Sequence, residues 1–127
     1  MLRGDIYEVD FGPGLGREPS GRLPAVVISN DTFNVAPFAL VVIAGLPPSQ
    51  LSAARALGVL VPAAESGLPA DTAFICYHIR AVEPSRVDST LLGRLTAARM
   101  ADIDHILLSI LGLNTPPPPG WRASPRP

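Results

Sequence analysis

Residues 39–44, Ala-Leu-Val-Val-Ile-Ala, form an unbroken apolar run that ends at Gly45 and the pair Pro47-Pro48. A continuous run of this length reads as a central strand covered on both faces. Towards the N-terminus, Pro24–Ser29 (PAVVIS) is a second short buried strand. Asp5–Phe11 (DIYEVDF) alternates, with Ile6, Glu8 and Asp10 on one side and Tyr7, Val9 and Phe11 on the other, which is the period of a first strand. Between that strand and Pro24 lies the loop Gly12–Leu23, and after Ser29 the residues Asn30 and Asp31 supply caps for a turn or short helix around Thr32–Val35. Towards the C-terminus, Ser49–Ala56 fits a turn of helix, and Leu57–Val61 and Thr72–Tyr77 are two further strands joined by a polar turn with Glu65, Ser66, Gly67 and Pro69. Ile79–Val82 continues the second of them. Short strands, tight turns and no repeated helical crossovers predict a small antiparallel sheet or barrel. One helix follows, with Thr96 as N-cap, Ile103, Ile106, Leu107, Ile110 and Leu111 on one apolar stripe, and Gly112 as its stop. The expected class is mainly β with a C-terminal helix packed on the sheet.

The chain has 127 residues, enough for one domain with a real core, since 47% are hydrophobic and only 17% charged. Ten basic against eleven acidic residues give a net charge of −1, so no whole-molecule field draws a polyanion or a membrane surface, and any nucleic-acid contact must be local. Every basic residue is Arg, which offers a planar fork of donors suited to phosphate. The lone Cys76 excludes an internal disulfide, and no cluster of Cys and His stands at metal-ligand spacing, so no metal site is expected. Met1-Leu2 runs straight into Arg3-Gly4-Asp5 without an apolar signal region, and no apolar run has the length of a membrane span; a cytoplasmic protein is the expectation. Residues 115–127 (TPPPPGWRASPRP) hold six of the fifteen prolines and read as an extended tail in which Trp121 docks or stays exposed.

Few residues offer chemistry. Gly12, Gly14 and Gly16 lack the spacing and following helix of a phosphate-binding loop. Cys76 and His78 are two apart on a predicted strand, a weak nucleophile pair, and Cys76 reads as an inert buried thiol. His105, with Asp102 three residues before it, reads as a solvated helical pair. The loop Gly12–Leu23 is different: four glycines and two prolines forbid regular structure, yet Arg17, Glu18, Ser20 and Arg22 crowd together. Metal-free RNA cleavage needs a base for the ribose 2′-hydroxyl, a cation on the phosphate and an acid for the leaving oxygen, and these residue types are within reach. A salt-bridged surface loop explains the same composition.

Arg3-Gly4-Asp5-Ile6-Tyr7, Gly16-Arg17-Glu18, Pro24-Ala25-Val26-Val27-Ile28-Ser29-Asn30-Asp31, Ile79-Arg80 and Gly93-Arg94-Leu95-Thr96, in this order and spacing, resemble the MazF/PemK family of endoribonuclease toxins. The resemblance runs from Arg3 to Leu113. It implies a single SH3-like small barrel over residues 1–113, followed by the proline-rich tail 114–127. It also implies a homodimer, sequence-specific and metal-independent cleavage of single-stranded RNA without a cofactor, and neutralisation by a MazE-like antitoxin whose flexible tail covers the RNA groove. Operator DNA would be reached through the antitoxin.

The chain departs from the family pattern at three places. The Arg expected immediately before the proline of the second strand is Leu23, with Arg22 one place earlier; the Thr expected at the end of the third strand is assigned to Ala44, followed by Gly45 and Leu46; the acidic residue and Gln expected before Ile79-Arg80 are Tyr77 and His78. The leading expectation is an endoribonuclease with Arg22 and Arg17 on the scissile phosphate, Glu18 positioning the loop or acting as base, and His78 as acid or base. Ser20, Tyr77 and Arg80 complete its RNA contacts. The alternative is a catalytically impaired homologue that binds an antitoxin or nucleic acid, which Leu23 and Ala44 favour. A structural barrel with a proline tail for partner recognition ranks last.

Overall fold

A computed structural model of the chain describes residues 1–36, 38–52, 55–114 and 119–120. Six strands, β1 (Asp5–Asp10), β2 (Arg22–Val27), β3 (Leu40–Leu46), β4 (Gly58–Val61), β5 (Thr72–Val82) and β6 (Gly93–Arg94), form one antiparallel sheet in the order β4-β5-β3-β2-β1-β6. The sheet curls into a half-barrel, the expected mainly β architecture. Two short helices, α1 (Asp31–Val35) and α2 (Ala63–Ser66), and the long α3 (Ala97–Ile110) complete it. Asn30 caps α1 by accepting from the Phe33 amide, and Thr96 caps α3 by accepting from the Arg99 amide. β2 begins at Arg22, earlier than the expected Pro24, and β5 is one continuous strand in which Ile79–Val82 continues Thr72–Tyr77, as expected. The expectations for Trp121 and most of the proline-rich tail lie outside the described residues.

From Leu40 onward the apolar run at residues 39–44 lies in β3, central and covered on both faces. Ile43 joins Ile6, Val26, Phe74 and the α3 residues Met100, Ile103 and Leu107 in one core cluster; Val42 joins Tyr7, Val9, Phe11, Ala25, Val27 and Val82 in the other. The alternation read in β1 is therefore real: Ile6 points to the helix side, and Tyr7, Val9 and Phe11 to the opposite side.

One irregularity shapes the rest. β3 and β5 pair as Ile43↔Ile79 and then as Gly45↔Phe74, so the four residues Ile75–His78 lie opposite Ala44 alone. A bulge of this kind bends its strand and takes side chains out of the ladder. It works here because β3 comes very close to β5 just past it: a Cβ on Gly45 would lie 2.6 Å from Thr72 Cγ2 and 3.1 Å from Phe74 Cε1. Both are buried and have little room to retreat. Gly45→Ala is expected to destabilise the fold by about 1–3 kcal/mol, read as a lower midpoint in urea.

The edge of the sheet is tied by a buried carboxylate. Asp5, 3% exposed, accepts from Arg94 Nε at 2.7 Å, from the Leu2 amide at 3.0 Å and from the Tyr7 hydroxyl at 3.3 Å. Burial alone would raise its pKa, but these donors outweigh burial and hold it below the ordinary 3.8. A depressed carboxyl stabilises the fold above its unfolded pKa and loses that contribution as the pH falls through the folded value. Arg94→Leu should therefore lower Tm at neutral pH, with a deficit that shrinks as the pH drops below 3.8, measured by thermal unfolding of both proteins across that range.

Candidate active site

The β5 bulge faces a loop. Residues 12–21 leave the sheet after Phe11 and return at β2, closed at the base by Phe11 N–H donating to Gly21 O at 2.9 Å and Gly21 N–H to Gly12 O at 2.8 Å. Gly21 sits at φ 71°, a left-handed turn that a side chain would strain, and it delivers the chain into the strand at Arg22. Within the loop, Glu18 accepts from the Leu15 amide at 2.7 Å and its own amide donates to Leu15 O at 3.1 Å, so its carboxylate pins the turn that carries Arg17. Pro19 is buried.

Between loop and bulge lie two adjoining concavities of about 550 and 320 Å³. Arg17, Glu18, Pro19, Tyr77 and His78 line both and form the ridge between them. The smaller one adds Ile79 and Arg80, whose guanidinium lies 5.9 Å from the centre of the Phe11 ring, a cation–π distance. The larger one has an apolar floor of Leu23, Leu46 and Ile75 and a rim of Ser20, Ser49, Gln50 and Ser52.

His78 is the distinctive group. It is half-buried, both ring nitrogens are inaccessible, and neither has a hydrogen-bond partner. Tyr77, 41% exposed, meets it edge to face with ring centres 4.6 Å apart. Burial pushes the imidazole below its usual 6.5, so the neutral form dominates at pH 7 and carries one unprotonated nitrogen, enclosed here like the other. Cys76 is no partner for it: the thiol is fully buried beside Phe74 O at 3.8 Å, and burial raises it to about 11. His105 lies on α3 in a separate surface depression with Arg99 and Asp102.

Of the residues singled out in the sequence, the structure brings together Arg17, Glu18, Ser20, Tyr77, His78 and Arg80. It leaves out Arg22. That residue pairs with Asp10 across β1–β2, bonds Glu8 at 3.3 Å, and lines another concavity with Asp10, Arg86 and Asp88. The reason is strand alternation: Arg22 and Leu23 are consecutive in β2, so they point to opposite faces, and it is Leu23 that meets the cleft. The assignment of the strand-end position also needs correction. Ala44 is buried in the second core cluster opposite the bulge, and the β3 side chain that reaches the cleft is Leu46. Sequence reasoning missed Ser49, Gln50 and Ser52, which a 3-10 turn over Pro48–Leu51 and its following residue bring to the rim. The signal was the polar set directly behind Pro47-Pro48.

Comparison with known proteins places this chain among small toxin domains. The model of the PemK-like, MazF-like toxins of type II toxin-antitoxin systems matches residues 2–111, and the chain belongs to that family. Endoribonuclease MazF9 of Mycobacterium tuberculosis is 34% identical over 110 residues, covering 84% of this chain and 92% of that one. MazF from Deinococcus radiodurans superimposes with a TM-score of 0.73 at 24% identity, over 88% of this chain and 96% of that one. A mycobacterial endoribonuclease in complex with its cognate antitoxin superimposes with a TM-score of 0.67 at 23% identity, over 91% and 97%. Among the described residues no helix is long and apolar enough to cross a membrane.

Two properties of the site are open to direct measurement. The His78 imidazole should titrate below 6.5 in the folded protein, followed by its ring resonances in NMR. Cys76 should react with a thiol reagent at pH 8 only at the rate at which the protein opens, a rate that denaturant accelerates.

Proposed function

We propose that this chain is the toxin of a type II toxin-antitoxin pair and cleaves single-stranded RNA by transesterification in the cleft between the Gly12–Gly21 loop and the β5 bulge. The observation that supports this most is His78, a neutral imidazole with two unpartnered nitrogens on the ridge between a concavity that holds Arg80 and one floored by Leu23, Leu46 and Ile75. Arg17 and Arg80 hold the scissile phosphate, each with a fork of donors that favours the extra negative charge of the transition state. RNA binding turns the His78 ring so that its unprotonated nitrogen, enclosed in the free protein, meets the ribose 2′-hydroxyl and takes its proton. The 2′-oxygen then bonds to phosphorus, the bond to the 5′-oxygen breaks, and that oxygen leaves with a proton from water at the open rim. The products are a 2′,3′-cyclic phosphate and a 5′-hydroxyl end. Glu18 acts as a positioning residue, through the turn it holds at Leu15.

The chain works as a homodimer, its cleft is covered by a cognate antitoxin when inactive, and operator DNA is reached through that antitoxin. The family membership and the solved complex of a relative with its antitoxin support this reading. Residues 1–113 form the toxin domain, and 114–127 are a proline-rich appendage outside it.

Purified protein incubated with a long single-stranded RNA in EDTA should give discrete cuts ending in cyclic phosphate. His78→Ala should slow cleavage by about a hundredfold or more with RNA still bound, since positioned general bases typically contribute that much. Arg22→Ala should cleave within about threefold of the parent rate, because its side chain lies outside the cleft. An inert parent protein, or cuts that survive His78→Ala and vanish with Arg22→Ala, would overturn the assignment.

A further inference from the structure

We infer that the apolar end of the larger concavity is a nucleobase subsite and that Gln50 reads the edge of that base, which makes Gln50 the specificity-determining residue; this rests on the RNA-cleavage reading above. The two concavities differ in kind. The smaller one brings Arg80 to the shared ridge that carries Arg17, so charge for a phosphate is supplied on that side. On the other side the floor is Leu23, Leu46 and Ile75, with no charged side chain beyond the ridge. A phosphate on that floor would lose hydration and gain no cation, which is unfavourable, whereas the flat face of a base loses little water and gains dispersion contact.

The polar groups around this floor are arranged to recognise an edge. Apart from Ser20 they come from one short segment that begins at Pro47-Pro48, whose fixed backbone leaves the turn little freedom, and the Gln50 amide closes it by donating to Pro47 O at 3.0 Å. The Ser52 hydroxyl is occupied, donating to Ser49 O at 3.2 Å. The Gln50 carboxamide makes no hydrogen bond among the described residues, and it presents a donor pair and an acceptor side by side. Such a group pairs in two-pronged fashion with a base edge that offers the complementary acceptor and donor, and Gln50→Glu removes the donor half.

The register of the strands puts base and phosphate in sequence. Ala25 pairs with Ala44, so the next outward pair on the same face is Leu23 beside Leu46, and both lie next to the bulge that carries His78. A nucleotide whose base rests on the two leucines therefore has its ribose at the His78 ridge and its phosphate on the arginine side. The base read by Gln50 is thus the one attached to the ribose whose 2′-hydroxyl attacks, immediately 5′ of the cut.

The test compares cut sites on one long RNA for the parent protein, Gln50→Glu and Gln50→Leu, and adds methyl NMR of the parent with a 2′-O-methyl RNA oligomer that cannot be cleaved. The parent should show a fixed base immediately 5′ of its cuts. Gln50→Glu should shift that preference by about tenfold and leave the neighbouring positions unchanged, the effect of exchanging one recognition hydrogen bond. The Leu23 and Leu46 methyl resonances should move by ring current when the oligomer binds, and Leu23→Glu should weaken its binding by about tenfold or more. Cuts with the same preference in all three proteins would overturn the inference while leaving the cleavage reading intact. Unmoved leucine methyls with bound oligomer would overturn it even for a protein that does not cleave, and methyl shifts induced only by an apolar peptide would assign the subsite to a protein partner instead.

Discussion

The arrangement of this molecule depends on four residues of β5 lying opposite one residue of β3. Regular pairing through this stretch would keep His78 inside the ladder and flatten the cleft. The bulge instead bends β5, so that its first half pairs with β4 and its second half with the upper part of β3. The close approach at Gly45 holds the bend from one side, and the buried Phe74 and Cys76 hold it from the other. Tyr77 and His78 are set on the bend between these anchors, which gives a rigid platform beneath a loop pinned at both ends. Catalytic groups gain from such fixing because positioning is achieved before substrate arrives.

The electrostatics follow from that geometry rather than from composition. With a net charge of −1, the protein has no general attraction for RNA, so affinity must come from the few guanidiniums that the fold places in the groove. Many of the other arginines are committed elsewhere: Arg3 to Asp104, Arg94 to Asp5, Arg99 to Glu65 and Arg22 to Glu8. Arg17 and Arg80 are free of such ion pairs among the described residues and both line the cleft. Burial favours the neutral form of His78 beside them.

Much of the fold was legible because it rests on local patterns. The alternation in Asp5–Asp10, the unbroken run in β3 and the capped, striped α3 each carry their own period, and the structure reproduces them within a residue or two. The site was legible in part. The loop cluster and the Tyr77-His78 pair were recognisable by residue type, and the long-range register that joins them was not. Arg22 looked like a shifted counterpart of a missing arginine, but a one-residue offset in a strand reverses the face, and only the pairing of Arg22 with Asp10 reveals which face that is. Ala44 was misplaced for the same reason, since a three-residue slip in β5 changes what a β3 residue faces without leaving any mark in β3 itself. Gln50 was hidden in a stretch with no periodicity, where only the folded turn shows that it overlooks the cleft.

The central claim is that the reacting phosphate lies at His78 and not at Arg22. A crystal structure of the His78→Gln protein with a single-stranded RNA tests it most directly. The account predicts a backbone phosphate between Arg17 and Arg80, with the adjoining ribose within hydrogen-bonding distance of residue 78. RNA laid instead along Arg22, Arg86 and Asp88, with the His78 cleft empty, would contradict it.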